Sequence, residues 1–271
     1  MSQFRDQLGI IGGGVMAEAI LSRLLSQKIC SPEQIQVSDI SKERLEVLIG
    51  RYQIQGSTLN DAVASNAQVL VLAIKPQIFP KVADPLASSI PAGCLVLSIL
   101  AGVTLGTLEA AFPGSPVIRV MPNTPATVGA GIAAIAAGNH ANQTHLDLAH
   151  QLFSAVGQAV TVPESLMDAV TGLSGSGPAY VALVLEALTD GGVSVGLPRP
   201  IANQLALQTL LGTAKLVDET GLHPAQLKDQ VTSPGGTTIA GVAALEQAGL
   251  RSALIKAVQA AYHRSCELGR G

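Results

Sequence analysis

Two glycine-bearing stretches hold the residue types that bind anions, and they lie towards opposite ends of the 271-residue chain. Late in the chain, Ser233-Pro234-Gly235-Gly236-Thr237-Thr238-Ile239 joins a proline that stiffens a turn to two conformationally free glycines and two hydroxyls, ahead of an apolar helical run over 239–248. Such a helix start gathers several backbone N–H groups at the positive end of the helix dipole, enough to hold a carboxylate without an arginine. Thr238 would set a hydroxyl beside that anion. An ordinary N-capped helix after a tight turn is the alternative reading. Early in the chain, Gly12-Gly13-Gly14-Val15-Met16-Ala17 follows the short apolar run Leu8-Gly9-Ile10-Ile11 and leads into a helical pattern through Ala19, Ile20, Leu24 and Leu25. That is G-x-G-x-x-A between a strand and a helix, the setting in which the pattern cradles a dinucleotide pyrophosphate. Gly12 permits the turn, Gly14 lets phosphate approach the backbone, and Ala17 lets the helix lie close on the strand.

The elements that must position these loops follow from apolar patterning. Residues 35–39 form a second strand ending at Asp39, where a carboxylate ordinarily meets the adenosine ribose. Asp39 therefore argues for NAD, while Ser38, Lys42 and Arg44 supply groups that could bind a 2′-phosphate, and a helix simply starting over 38–41 and running on through 42–49 accounts for them too. Continuous apolar runs at 69–74 and 95–100 read as parallel strands covered on both faces. The first gives way to Lys75-Pro76 and the second to Ala101-Gly102, loops at the carboxyl ends of strands where ligands bind in such sheets. Asn60 either reaches the adenosine side or caps a helix. A strand at 117–121 stops at Pro122-Asn123-Thr124-Pro125, which points Asn123 at the same crevice or forms a structural turn. Strands over 131–137 and 159–162, around a helix at 145–156, extend the sheet, with His140, His145 and His150 expected on the surface.

After Pro163 the strand pattern gives out. Residues 164–173 are helical in character, 174–178 break or kink that helix, and 179–195 are apolar on nearly all faces. Further helices are expected over 198–219, 225–231 and 250–268. The fold class is therefore α/β: an N-terminal Rossmann-like doubly wound sheet over 1–163, then an all-helical domain over 164–271 whose surplus apolar surface predicts a dimer. Glu164 at the junction is either a helix-start acid or an acid of the substrate cleft.

Composition narrows the partners. With 48% hydrophobic and 13% charged residues, no Trp and a net charge of −3, the chain can fill a large aliphatic core but carries no basic field for nucleic acid or membrane surfaces. A small-molecule partner is expected. Cys30, Cys94 and Cys266 are too scattered for a disulfide framework or a zinc site, so three reduced thiols and no metal are expected. No signal peptide or membrane span is legible, which predicts a cytoplasmic protein.

Taken together, Gly12-Gly13-Gly14-Val15-Met16-Ala17, Ala73-Ile74-Lys75-Pro76, Met121-Pro122-Asn123-Thr124-Pro125, residues 168–180 (DAVTGLSGSGPAY) and Ser233-Pro234-Gly235-Gly236-Thr237-Thr238 closely resemble the pyrroline-5-carboxylate reductase family across essentially the whole chain. The resemblance implies reduction of L-1-pyrroline-5-carboxylate to L-proline, the last step of proline synthesis, with NADPH or alternatively NADH. It implies a 6-phosphogluconate dehydrogenase-like architecture in which helical domains interlock a homodimer, in some members within a decamer. By matching position it assigns the dinucleotide to Gly12, Gly13, Gly14, Val15, Met16, Asp39, Asn60, Ile74, Lys75 and Ala101, beside the crevice residues Ser38 and Asn123. Glu164, Gly236, Thr237 and Thr238 fall to the substrate, with Thr238 as the catalytic hydrogen-bond donor to the ring nitrogen.

Overall fold

A computed structural model describes residues 6–269, within which eight strands form one sheet. The strands are β1 (Leu8–Ile11), β2 (Ile35–Ser38), β3 (Gln55–Ser57), β4 (Val69–Leu72), β5 (Leu95–Ser98), β6 (Val117–Met121), β7 (Gly131–Ala137) and β8 (Gly157–Thr161). Their spatial order is β3-β2-β1-β4-β5-β6-β7-β8. All neighbours are parallel except β6 and β7, which pair antiparallel.

The apolar runs read from the sequence become central strands because alternate residues face two separate cores. Leu8 and Ile10 of β1, Val69 and Val71 of β4, and Leu95 and Leu97 of β5 enter one core, while Ile11, Leu70, Leu72 and Val96 enter the other. Helices α1 (Val15–Ser26) and α2 (Lys42–Tyr52) cover the first face; α3 (Asn60–Ala64), α4 (Phe79–Ser89) and α5 (Leu105–Ala111) cover the second. Helix α6 (Gln143–Phe153) adds Ala149, Leu152 and Phe153 to the first core. The order of connection reverses between β1 and β4, which opens a crevice at their carboxyl ends, the point where ligands bind in open α/β sheets.

Beyond β8 the chain is helical, as the loss of strand patterning predicts. A 3-10 turn at Glu164–Leu166 enters α7 (Met167–Val170), and a π-helical turn at Thr171–Gly175 leads to α8 (Gly177–Ser194). The Gly/Ser-rich 174–178 stretch thus shifts the helical register without ending the run. Then follow α9 (Arg199–Thr220), α10 (Pro224–Gln230), α11 (Thr237–Gln247) and α12 (Leu250–Leu268).

Two compact units result: residues up to Ser176 together with those from Ala260 onward, and residues Gly177–Gln259. The division thus falls 13 residues later than the 163/164 boundary expected from the sequence, and α12 returns its last residues to the first unit. The physical reason lies in Met167, which is fully buried in the second core of the sheet and draws α7 onto it. The helical unit is dressed differently. Among the described residues it buries only Thr189, Ala202 and Ala206, while Leu183, Leu207 and Leu211 are 64%, 51% and 60% exposed. Its apolar helices are therefore uncovered within a single chain.

At the far edge, Gly157 pairs with Gly131 in the β7/β8 register at φ +144°, and a β-carbon on it would overlap the Gly131 carbonyl. Gly157→Ala should therefore cost about 2–4 kcal/mol, as strain plus steric overlap. A urea midpoint equal to that of the unaltered protein would contradict this account.

Candidate functional site

The glycine loop between β1 and α1 is shaped by the backbone that crowds it. Gly12 sits at φ +99°, and a β-carbon there would come within 2.7 Å of the Ala73 carbonyl oxygen, so only glycine fits. Its N–H donates to the Ser38 carbonyl at 2.8 Å, tying the loop to β2. Gly14 is the opposite case: a β-carbon there would meet nothing within 4 Å, and its backbone faces open space. It is also the N-cap of the 12-residue α1, with no side-chain capping bond, so the first amides of that helix are left for a ligand. An uncapped helix start behind an open glycine fits a pyrophosphate.

Gly13 is gripped from both sides. Its N–H donates to Asp39 Oδ2 at 2.8 Å, and its carbonyl accepts from Arg44 Nε at 2.5 Å. The other Asp39 oxygen accepts from the Ser41 amide at 2.9 Å. Asp39 thus stands at the end of β2 as expected and, besides any ribose contact, braces the loop. Arg44, read from the sequence as a candidate for a 2′-phosphate, is spent on Gly13 and on the Glu18 carboxylate. Glu18 also takes Arg51 at 2.7 Å and the Tyr52 hydroxyl at 2.9 Å. Partial burial pushes the Glu18 carboxyl upward, but the hydrogen bonds from Arg44 and Tyr52 and the charges of Arg44 and Arg51 outweigh it and hold the group below its ordinary value.

Two expected ligand residues are differently employed. Ser38 is 0% exposed and donates to Asn60 Oδ1 at 2.8 Å, so it acts on a ligand only by orienting Asn60. Asn60 is the first residue of α3 rather than its cap, and that bond leaves its amide N–H groups to donate. The Asn123 carboxamide is likewise committed: it donates to the Ser174 carbonyl at 3.2 Å and accepts from the Ile132 amide at 3.0 Å. It fastens the π-helical turn to the start of β7. Ile74, exposed Lys75 and exposed Ala101 follow β4 and β5 at the same carboxyl ends.

A cleft of about 290 Å³ opens beside them, with Met16, Ile74, Ile99, Met121, Asn123 and Gly175 in its walls. The sequence reading missed Met121, Ile99 and Gly175, although each lies at a strand end or in the glycine-serine stretch. Glu164 is held by this same unit. Its Oε1 accepts from the Leu105 amide at 2.5 Å, capping α5, and pairs at 3.2 Å with Arg119, which is 5% exposed in the middle of β6. Glu164 opens the 3-10 turn at Glu164–Leu166 as a helix-start acid, and the same carboxylate also caps α5, a partner its place in the chain did not disclose.

In the helical unit, Pro234 and Gly235 occupy the corners of a turn closed by Gly236 N–H to Ser233 O at 3.0 Å, with Gly235 at φ +67°. That is a type II turn, which demands glycine at its third position. Gly236 is then the N-cap of α11 without a side-chain capping bond, and Thr237 and Thr238 are its first two residues, both exposed. The helix therefore starts with open amides, as the motif suggested. Elsewhere, His145 Nδ1 accepts from the Asn142 amide and His150 hydrogen-bonds Thr161, both in exposed surroundings. The three cysteines are free, and burial pushes the Cys30 and Cys94 thiols up to about 12. Among the described residues no cluster of metal-ligating side chains occurs, and no helix is long and apolar enough to cross a membrane.

Residues 164–268 match the family described as pyrroline-5-carboxylate reductase dimerisation, and residues 7–102 match NADP oxidoreductase, coenzyme F420-dependent. A pyrroline-5-carboxylate reductase from Synechocystis sp. is 59% identical over 97% of this chain and 98% of its own length. The chain belongs to the pyrroline-5-carboxylate reductase family. Solved structures of family members agree with the fold. The Coxiella burnetii reductase superposes with a TM-score of 0.91 at 36% identity, covering 97% of this chain and 98% of its own. The Plasmodium falciparum enzyme, solved with NADP bound, gives 0.88 at 32% identity over 98% of both chains. The matched dimerisation segment contains the helices over 177–259 that a single chain of this family member leaves uncovered.

The Glu164–Arg119 pair yields a test independent of substrate. Glu164→Ala would leave Arg119 buried without its counter-ion and the α5 amide without its cap, a loss of about 2–3 kcal/mol. The expected outcome is a clear fall in Tm in the absence of any ligand; an unchanged Tm would show the pair to be structurally idle.

Proposed function

We propose that this chain reduces L-1-pyrroline-5-carboxylate to L-proline, the last step of proline synthesis, using NADPH or NADH. The observation that carries the proposal is the near-complete overlap, at 59% identity, with a reductase of that name. The uncapped start of α1 behind Gly12, Gly13 and Gly14 supports pyrophosphate binding, with Val15 and Met16 supplying amides and Asp39 and Asn60 the adenosine side. Ile74, Lys75 and Ala101 complete the dinucleotide contacts, and Ser38 and Asn123 serve by bracing it. The reduced nicotinamide supplies, when bound, a hydride to the carbon of the C=N bond.

What this chain must do is hold the imine and bias its charge. The open amides at the start of α11, around Gly236, Thr237 and Thr238, hold the substrate carboxylate and so fix which face of the ring is presented. Thr238 donates a hydrogen bond to the ring nitrogen, which draws electrons from the C=N bond as it is reduced, and the proton that completes the N–H is taken up from water. Glu164 contributes with the oxygen that neither Leu105 nor Arg119 uses. Lys215 and Lys228, the lysines that a hydroxyacid-type proton donor would require on these helices, are exposed and half-buried respectively and paired with Glu219 and Asp229. The working unit is a homodimer formed through the helical unit, which the match of residues 164–268 to a dimerisation family supports; a decamer is the larger assembly open to it, and sharing of the α11 loop with the partner's dinucleotide is tested below. The cytoplasm is the compartment expected for such an enzyme.

Initial rates of imine reduction with each nicotinamide, on protein of known mass in solution, test the activity; no turnover with either would sink it. Thr238→Ala should lower kcat by about tenfold or more, the effect of losing a positioned donor. Unchanged kinetics would remove Thr238 from the mechanism. If the α11 loop serves the partner's cofactor, mixed dimers of inactive Gly14 and Thr238 variants should recover activity, and verified heterodimers without activity would argue for a site within one chain.

A further inference from the structure

Asp39 and Arg44 hold the same glycine with opposite charges, yet only Arg44 has a carboxylate partner: Gly13 N–H goes to Asp39, Gly13 C=O to Arg44, and the far side of the guanidinium to Glu18. Glu18 is a shared anchor, since Arg51 and the Tyr52 hydroxyl take its other oxygen. The turn after β2, where a dinucleotide's adenosine ribose lies, is by contrast rich in carboxylates. Asp39 stands at its start, and Glu43 accepts from the Ser41 hydroxyl at 2.8 Å. Lys42 in this turn is exposed, while Arg44 begins there, its amide bonded to Ser41 Oγ at 3.1 Å, but its side chain turns back to the glycine loop. A 2′-phosphate arriving at this turn meets two anions, and the arginine best shaped to clamp it is occupied elsewhere.

We infer that Glu18 is a specificity-determining positioning residue: by holding Arg44 against Gly13 it withholds a phosphate ligand from the β2–α2 turn and tilts the cofactor choice towards NADH. The inference rests on the dinucleotide reading above. Nothing in it requires Glu18 to touch the cofactor. Its carboxylate sets where a neighbouring cation points, and that cation decides whether a second phosphate is welcome. Glu18→Gln keeps the size and one hydrogen bond but gives up the charge that fixes Arg44, which is then available to a 2′-phosphate at the cost of a looser Gly13.

The test reads binding without substrate. Quenching or enhancement of reduced-nicotinamide fluorescence gives Kd for NADPH and NADH in the unaltered protein, Glu18→Gln, Arg44→Met and the double variant. Displacement of NADH by adenosine 2′,5′-bisphosphate, compared with adenosine 5′-monophosphate, isolates the phosphate itself. Glu18→Gln should shift the NADPH-to-NADH affinity ratio towards NADPH by about fivefold, the scale of one new charge-assisted hydrogen bond at a part-exposed site. The double variant should lose that shift, and Arg44→Met alone should weaken both dinucleotides together through the loop. A ratio unmoved by Glu18→Gln, or moved equally in the double variant, overturns the inference, the latter result meaning that the removed charge acts at long range without Arg44. Unaltered protein that binds neither dinucleotide would sink the cofactor reading along with it.

Discussion

The close approach of Gly12 to the Ala73 carbonyl is the constraint from which the first unit is organised. β1 and β4 lie side by side, and both chains must turn away at the same level, one towards α1 and the other towards α4. No side chain fits between the two turns, so the backbone itself forms the floor of the crevice. Because Gly12 takes a positive φ there, the next residues reach open space at Gly14 with α1 aimed at that space. The open start of α1 at this position is thus a consequence of packing between two strands, since the turn leaves the first amides of the helix without a side-chain cap.

The residues around this floor show how one side chain can serve both architecture and chemistry. Asp39 occupies the place that ribose recognition requires, yet both its oxygens accept backbone bonds, from Gly13 and Ser41. A carboxylate so held is rigid before any ligand arrives, which lowers the entropy lost on binding. Glu164 repeats the pattern beside β5 and β6, where Arg119 and the α5 amide fix one oxygen. Asn123 and Ser38 have gone further, their polar atoms committed to the Ser174 carbonyl and Ile132 amide in one case and to Asn60 in the other. They shape the site as braces.

How much of this was legible in the sequence depended on whether the cause was local. Central strands were legible because burial on both faces demands continuous apolar runs, as in β4 and β5. β3 was not, since Gln55-Gly56-Ser57 is a three-residue edge strand whose only instruction is the register with β2. The two glycine-bearing loops were legible because glycine and proline act through their own backbone. The partnerships of Asp39 with Gly13, of Arg44 with Glu18 and of Glu164 with Leu105 were not, since each spans 26 to 59 residues and is closed only by the sheet. Arg119 did carry a signal that went unused: a charged residue inside the apolar strand Val117-Ile118-Arg119-Val120 must find a counter-ion. Asn60, left open between a ligand contact and a helix cap, is the first residue of α3 and accepts from a serine of β2, a bond no local pattern announces.

The two units also differ in what their folding can rest on. The first buries the aliphatic side chains of two cores almost completely, so its stability is internal. The second packs α8 on α9 closely enough for Gly192 to approach Ala202, yet it leaves leucines on α8, α9, α11 and α12 in the open. At about 25 cal/mol per Å² of apolar surface, helices dressed this way regain by association what they cannot gain alone. Residues 164–268 match a dimerisation family, so association is where that apolar surface finds cover. The α11 loop, with its exposed turn and open amides, is built on that unit. The start of α11 is thus carried on helices whose apolar faces a single chain leaves open, whereas the glycine loop of the first unit owes its shape to two buried cores.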